Sequence, residues 1–536
     1  MDFDPLQYPY RSRRSVNYSR KGMVATSQPL AAQSGLDILK KGGNAVDSAV
    51  ATAASLTVLE PTSNGIGGDG FAIVWMDGDM HGLNSSGYSP RDIDIEKVKD
   101  EGHEEMQKFG WTPVTVPGIP GAWAELSERF GELPLEEVLE PAVRYAEEGY
   151  PISPILGKYW KAAYKSYKKN IGDEKKFQNW FETFAPNGRA PKIGEMWRSK
   201  DHAATLREIG RTDADSFYRG KLAENIAEFS KETGGYLRER DLADFSPEWV
   251  EPLNIDYRGH KVWELPPNGQ GMIALQALKI LKGFDFEHKD SVETYHKQIE
   301  ALKLAFSDGK EVITDPDHME IDPDEMLSED YAEERRTEIE DEALEPEPGR
   351  IADGGTVYLS TADEDGNMVS YIQSNYMGFG SGLVVPDTGI ALQNRGNTFS
   401  LDNKEANCLE PNKRTYHTII PGFLTKQGEA VGPFGVMGGY MQPQGHIQVI
   451  MNTLDFDLNP QAALDAPRWR WDEDKKVFLE KKFPHHIGKA LSRKGHDIEY
   501  SLHSGSYGRG QIIWKLDDGV YAGGTEPRTD GHIATW

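Results

Sequence analysis

The spacing of apolar positions changes period twice within the first hundred residues. From Gln28 to Lys41, Leu30, Ala31, Leu36, Ile38 and Leu39 recur at largely helical intervals, and Gly42-Gly43 offers the left-handed cap that ends a helix. Ala45 to Leu59 is so rich in alanine and valine that it predicts a second helix, buried on most sides and halted by Pro61. Phe71 to Met76 and Met80 to Asn84 then flank Asp77-Gly78-Asp79, the turn chemistry of a β-hairpin.

The middle of the chain reads as mostly helical. Its densest charge run, Glu338 to Glu347, precedes Pro348-Gly349, and the pattern changes near residue 350. Thr356 to Ala362 and Met368 to Ser374 are β-rich runs around the polar turn Asp363-Glu364-Asp365-Gly366-Asn367, and Gly389 to Gln393 is a further strand candidate. Gln444 to Leu454 predicts a buried helix, and Asn459-Pro460 supplies an N-cap and a first-turn proline for the next one. Ile498 to Leu502, Gln511 to Leu516 and Val520 to Ala522 return the tail to β structure. Helices and antiparallel strands in both halves, with no repeat and no flexible linker, predict an α+β layered sandwich.

Composition narrows the function classes. Acidic residues number 86 against 59 Lys plus Arg, a net charge of -27 that opposes binding to phosphate backbones, so no nucleic-acid partner is expected. A lone cysteine, Cys408, cannot form an intrachain disulfide and reads as a packing residue, in a reducing compartment or in a lineage that avoids bridges. No run approaches the ~20 apolar residues of a membrane helix, and the first residues lack the basic start and apolar middle of a secretory signal. A soluble, cytoplasmic protein with no membrane partner is the expectation.

Gly65-Ile66-Gly67-Gly68-Asp69-Gly70 has the spacing of a dinucleotide-binding loop, but it follows a helix and leads into a strand, the reverse of what that loop requires. A glycine turn that permits close backbone packing is the better reading. The fourteen histidines show no metal-ligand spacing, and no serine elbow of the G-x-S-x-G type occurs, so neither a metal nor another cofactor is expected. Asp353-Gly354-Gly355-Thr356 places a threonine at the start of a β run behind two glycines. Taken alone, it is a loop entering a strand.

The chain around that threonine changes its meaning. Gly22 to Ala31, Gly42-Gly43-Asn44-Ala45-Val46-Asp47 and Glu60-Pro61-Thr62-Ser63-Asn64-Gly65-Ile66-Gly67-Gly68 resemble, in order, the start of the γ-glutamyltransferase family. Pro411-Asn412-Lys413-Arg414, Met437-Gly438-Gly439, Asn459-Pro460-Gln461-Ala462-Ala463 and Ala466-Pro467-Arg468 resemble its second half, so the likeness spans residues 20–531. The resemblance implies an N-terminal-nucleophile hydrolase with a four-layer αββα sandwich, made as a precursor that cuts itself at Gly355-Thr356. The products would be a large subunit of residues 1–355 and a small one of residues 356–536, intertwined in one structural unit. It also implies Thr356 as nucleophile with its freed α-amine as base, Gly438 and Gly439 as oxyanion donors, and Asn375 as the residue that hydrogen-bonds the nucleophile. The Asn375 position carries one extra residue in Tyr376-Met377-Gly378-Phe379.

The acyl pocket departs from the γ-glutamyl pattern. Thr398 and Arg395 stand where an acidic residue and a glutamine or glutamate hold a substrate ammonium, Ser86 or Tyr88 replaces a carboxylate-binding arginine, and His417-Thr418 replaces paired serines. Arg395 suits a carboxylate at the far end of an acyl group, with a structural salt bridge as the alternative. Ser400 to Glu410 is a short loop that implies an open site. The partners expected are a small-molecule amide and water or an amine acceptor. The readings left open are an enzyme acting on γ-glutamyl or similar amides, an acylase for glutaryl- or oxamate-like amides, and an unprocessed homologue without catalysis.

Overall fold

The computed structural model describes residues 4, 6–12, 14–172, 174–345 and 355–536. Pro348-Gly349 and Asp353-Gly354 lie outside the described residues. Two seven-stranded sheets face each other, each covered on its outer side by helices, which is the αββα order. One sheet runs His532–Thr535, Gly22–Thr26, Gly355–Asp363, Met368–Tyr376, Asp69–Met76, Asp79–Ser85, Glu248–Val250, with every neighbouring pair antiparallel. The other runs Asn17–Ser19, Tyr521–Thr525, Arg509–Lys515, Glu429–Met437, Gly422–Lys426, His260–Glu264, Leu253–Tyr257. Both sheets mix strands from before and after Gly355, so neither half closes a core by itself.

Local chemistry accounts for the main elements. The helix Pro29–Lys41 stops at Gly42, whose φ of 106° lets its N–H turn back to the carbonyls of Ile38 and Leu39. Asn44 and Asp47 form a reciprocal capping box for Ala45–Leu59, and all fifteen residues of that helix are buried between the sheet and the helix Leu135–Glu148. Asp77 and Gly78 take positive φ values of 52° and 90° in the predicted hairpin turn. Asn459 Oδ1 accepts from Ala462 N at 2.8 Å, as its N-cap position requires. The proposed strand Gly389 to Gln393 is a correction. Gly389 has a φ of 72°, and the segment makes only isolated bridges, Leu392 to Gly67 and Ala391 to Val384. Its backbone groups go to Ser381, Leu383 and Gly67 instead of a ladder. The last strand, His532–Thr535, was not legible as a separate apolar run.

Between the sheets, Met23, Phe71, Ile73, Tyr358 and Ile372 meet Phe423, Met437, Ile513 and Tyr521. Gly435 has no side chain because a Cβ there would lie 2.4 Å from the Tyr358 ring. At one end, a buried charge network ties the C-terminal segments together. Arg528 donates to Glu480 Oε2 and Glu526 Oε1, both at 2.6 Å, while Arg468 donates to Glu526 Oε2 at 2.9 Å and to the Tyr507 carbonyl at 2.9 Å. These paired cations hold the Glu480 and Glu526 carboxyls below the ordinary range although burial alone would raise them. Arg528→Met would leave both carboxylates buried without that partner, so it should cost ~3–5 kcal/mol and lower the thermal midpoint. A midpoint equal to that of the unchanged chain would refute this account of the network.

Candidate active site

Thr356 is buried near the start of Gly355–Asp363, in the interior of its sheet. Pairing with Met368–Tyr376 is regular from Ala362↔Met368 to Val357↔Gln373, then slips to Gly355↔Tyr376. Ser374 and Asn375 together therefore oppose Thr356 in a bulge, and Tyr376 takes a φ of 72°. The Ser374 hydroxyl donates to the Gly355 carbonyl at 2.5 Å and accepts from Thr356 Oγ1 at 3.3 Å and from Tyr376 N at 2.8 Å. One side chain thus touches both the carbonyl and the hydroxyl at the predicted scission point. Ser374 was absent from the predicted site, yet counting the register outward from the 363–367 turn places it opposite Thr356.

Asn375 does not make the predicted bond. Both its side-chain polar atoms are buried without a hydrogen-bond partner, and the group packs on Gly65 and Gly68. Adjacent strand residues point to opposite faces, so Ser374, not Asn375, takes the side of Thr356. Gly355 serves by close approach: a Cβ there would lie 2.9 Å from Gly378 N and 3.3 Å from Ser63 Cα. The glycine turn before it behaves likewise. A Cβ on Gly67 or Gly68 would come 2.4 Å from the Ala391 or Ser374 carbonyl oxygen.

Gly438 and Gly439, with φ of 138° and 61°, join the strand Glu429–Met437 to the helix Met441–Leu454. Their carbonyls accept from Met441 N and Gln442 N at 3.1 and 3.2 Å, which turns the peptide planes toward the helix. The next residue, Tyr440, reaches Tyr376, the strand partner of Gly355, and so brings this turn to the Thr356 end of the sandwich.

Beside that pair lies Arg395, which is 1% exposed. Its Nη1 donates to Thr418 Oγ1 at 2.7 Å, and its guanidinium sits 4.3 Å from the Tyr376 ring centroid. Nε and Nη2 have no partner. Burial pulls Arg395 down to about 10. Thr398 is used internally, with its hydroxyl 2.8 Å from the Arg395 carbonyl and 3.0 Å from that of Tyr416. His417 is also engaged: Nε2 donates to Asp69 Oδ2 at 3.0 Å and Nδ1 accepts from Ile419 N at 3.3 Å, and burial keeps the ring neutral. Tyr88 stands apart, its hydroxyl donating to Glu248 Oε1 at 2.9 Å and its ring beneath Arg414. The structure therefore gathers Gly355, Thr356, Ser374, Gly438, Gly439, Arg395 and Thr418, while Thr398 and His417 support them from behind.

Asp69, also missed in the sequence, receives His417, Gln393 Nε2 at 2.8 Å and Gly87 N at 3.3 Å. Burial pushes its carboxyl up to about 7, against the lowering effects of nearby Arg395 and of the hydrogen bonds from Gln393 and Gly87. A cleft of about 1990 Å³ opens from Tyr376 and Tyr440 past Trp111, Phe399 and the short loop containing Ser400 and Glu410. Among the described residues, one group has metal-ligand character, His296, Glu300 and His496. Lys303 Nζ already sits 2.8 Å from Glu300 Oε1, and Glu300 Oε2 and Lys303 bind the N–H and carbonyl of Leu344 at 2.7 and 2.9 Å, so this group works as a structural clamp.

A family model described as gamma-glutamyltranspeptidase matches residues 31–536. The glutathione hydrolase-like YwrD proenzyme of Bacillus subtilis (strain 168) is 36% identical over 525 residues, covering 95% of this chain and 98% of that protein. The oxamate amidohydrolase proenzyme of Klebsiella pneumoniae is 33% identical, covering 97% of this chain and 99% of that one. A crystal structure of cephalosporin acylase from Bacillus halodurans superposes with a TM-score of 0.96 at 62% identity, covering 100% of this chain and 99% of that one.

The Asp69 environment sets a pH dependence. A folded pKa of about 7 lies above the ordinary 3.8, so the stability this group contributes is complete below 3.8 and is lost as pH rises toward 7. The thermal midpoint of Asp69→Asn should accordingly gain on that of the unchanged chain between about pH 5 and about pH 8. A midpoint difference that stays flat across that range would show that the buried carboxyl is ionised throughout.

Proposed function

Because the chain belongs to the γ-glutamyltranspeptidase family, we propose that it is a self-processing threonine amidohydrolase that transfers an acyl group from an amide to Thr356, then to water or an amine acceptor. The observation that supports this most directly is the Ser374 hydroxyl bridging the Gly355 carbonyl and the Thr356 hydroxyl. In the uncut chain, Thr356 Oγ1 attacks the Gly355 carbonyl carbon while Ser374 donates to its oxygen, where negative charge develops. The C–N bond breaks, the threonine nitrogen takes the proton, and water hydrolyses the resulting ester. Residues 1–355 then end in a carboxylate, and residues 356–536 begin with a free amine.

That amine, with an ordinary pKa of ~8, is a suitable base for its own hydroxyl near neutral pH. Thr356 Oγ1 next attacks an amide substrate, and the N–H groups of Gly438 and Gly439 receive the oxyanion. Removing one such donor typically costs ~3 kcal/mol of barrier height. The leaving amine departs into the cleft with a proton, and water or an acceptor amine resolves the acyl-enzyme.

The acyl group we assign is one that ends in a carboxylate. Arg395 presents Nε and Nη2 without partners, the fork geometry that a carboxylate satisfies. The acid nearest in role, Asp69, has its oxygens committed to His417, Gln393 and Gly87, and so is not available to hold a substrate ammonium. This favours glutaryl-like acyl groups over γ-glutamyl ones.

Thr356→Ala should remain one chain of 59.9 kDa on a denaturing gel, where the unchanged protein gives two fragments whose smaller member begins Thr-Val-Tyr-Leu. Cleavage of the variant would remove Thr356 from the mechanism. Arg395→Met should lose ~10- to 100-fold in kcat/KM on glutaryl-p-nitroanilide, equivalent to about 1.5–3 kcal/mol of charged hydrogen bonding, and much less on butyryl-p-nitroanilide. If the unchanged enzyme prefers γ-glutamyl- to glutaryl-p-nitroanilide, the acyl assignment fails while the threonine chemistry stands.

A further inference from the structure

Gln270 lies in the loop Pro266-Pro267-Asn268-Gly269-Gln270, just before the helix Gly271–Lys282, and is fully buried. Its amide nitrogen donates to the Thr418 carbonyl at 2.6 Å and to the Gly439 carbonyl at 3.0 Å. Its amide oxygen accepts from the Tyr416 hydroxyl at 2.8 Å. Three points on two separate segments are therefore held by one carboxamide. The loop itself is fixed to the same segment by its backbone, through Gln270 N to the His417 carbonyl at 3.0 Å and His417 N to the Asn268 carbonyl at 2.8 Å.

Each point matters to a different half of the proposed chemistry. Gly438 and Gly439 have φ values that glycine adopts at little cost, and such residues are held in one orientation only if their peptide groups are tied down. Gln270 and Gln442 N both bind the Gly439 carbonyl and so fix the turn that carries the two N–H donors. Thr418, meanwhile, is the sole hydrogen-bond partner of the Arg395 guanidinium among the described residues. Its carbonyl and hydroxyl form a short relay from Gln270 to the cation. Tyr416 adds a wall: its ring centroid lies 5.7 Å from that of Tyr440, which reaches Tyr376 beneath Arg395.

We propose that Gln270 is a positioning residue that sets the oxyanion turn and the carboxylate-binding arginine in register with one another. It touches no reacting atom. The inference rests on the acyl-transfer reading above and adds that the two subsites share one support. Self-cleavage uses Ser374 at the Gly355 carbonyl and does not need this support.

The test uses the full chain with Gln270→Met, which keeps the length of the side chain and removes its hydrogen bonds. The variant should still cut itself into two fragments. Its kcat should fall at least tenfold on both glutaryl- and butyryl-p-nitroanilide, and its KM should rise several-fold on the glutaryl donor alone. Constants within twofold of the unchanged enzyme on both donors, or a KM that rises equally on both with kcat retained, would overturn the proposal. Should Gln270→Met fail to fold or to cut itself, Tyr416→Phe decides: it removes one hydroxyl at the far end of the same carboxamide and should lower kcat several-fold, whereas an unchanged kcat refutes the role. An unchanged chain that cleaves none of the donors would instead count against the acyl-transfer reading, so the two failures are distinguishable.

Discussion

A backbone ladder governs how this molecule works. The strand that begins at Gly355 is paired on both sides, with Met368–Tyr376 and with Gly22–Thr26, in the interior of a seven-stranded sheet. The pairing with Gly22–Thr26 begins at Leu359, and Thr356 is flanked by the pairs Gly355↔Tyr376 and Val357↔Gln373 of the other ladder. The regular ladder ends at the one place where a bulge sets two residues against one, and there Ser374 reaches both the Gly355 carbonyl and the Thr356 hydroxyl. Rigidity and a local break in pairing are both required: the first holds the reactants in place, and the second turns a hydroxyl toward them.

Electrostatics around the ladder follow one rule. Charges taken out of water are matched by partners wherever they carry the fold, as with Arg468, Arg528, Glu480 and Glu526, or Glu300 and Lys303. Arg395 breaks the rule. It is as deeply buried as the others but keeps two donor atoms unpaired above the Tyr376 ring. The carboxylate-ended acyl group proposed above would satisfy those two donors, whereas His417, although it belongs to the same neighbourhood, is already spent on Asp69.

The outcome at Asn375 and Ser374 shows where reading a sequence succeeds and where it stops. Pairing the two β runs about their turn was sufficient to align Val357 with Gln373, and one more step of the same count reaches Ser374. The bulge then decides which of two neighbours faces Thr356, and a bulge is set by what packs around it: Gly65 and Gly68 leave room for the Asn375 side chain on the other side. The segment Gly389 to Gln393 misled for a related reason. Its apolar residues suit a strand, but its hydrogen bonds are claimed by the Gly67 turn and by Ser381 and Leu383.

Helix ends, hairpin turns and the buried helix Ala45–Leu59 were properties of the sequence alone, because each depends on neighbours within a few residues of the chain. Local sterics and capping act at that range and leave visible residues behind. The partners of Arg395, His417 and Gln270 come from segments up to several hundred residues away, so only the packed sheets could decide them. Asp69 and His417 are separated by 348 positions, and nothing in either neighbourhood marks the other until two sheets bring them to 3.0 Å.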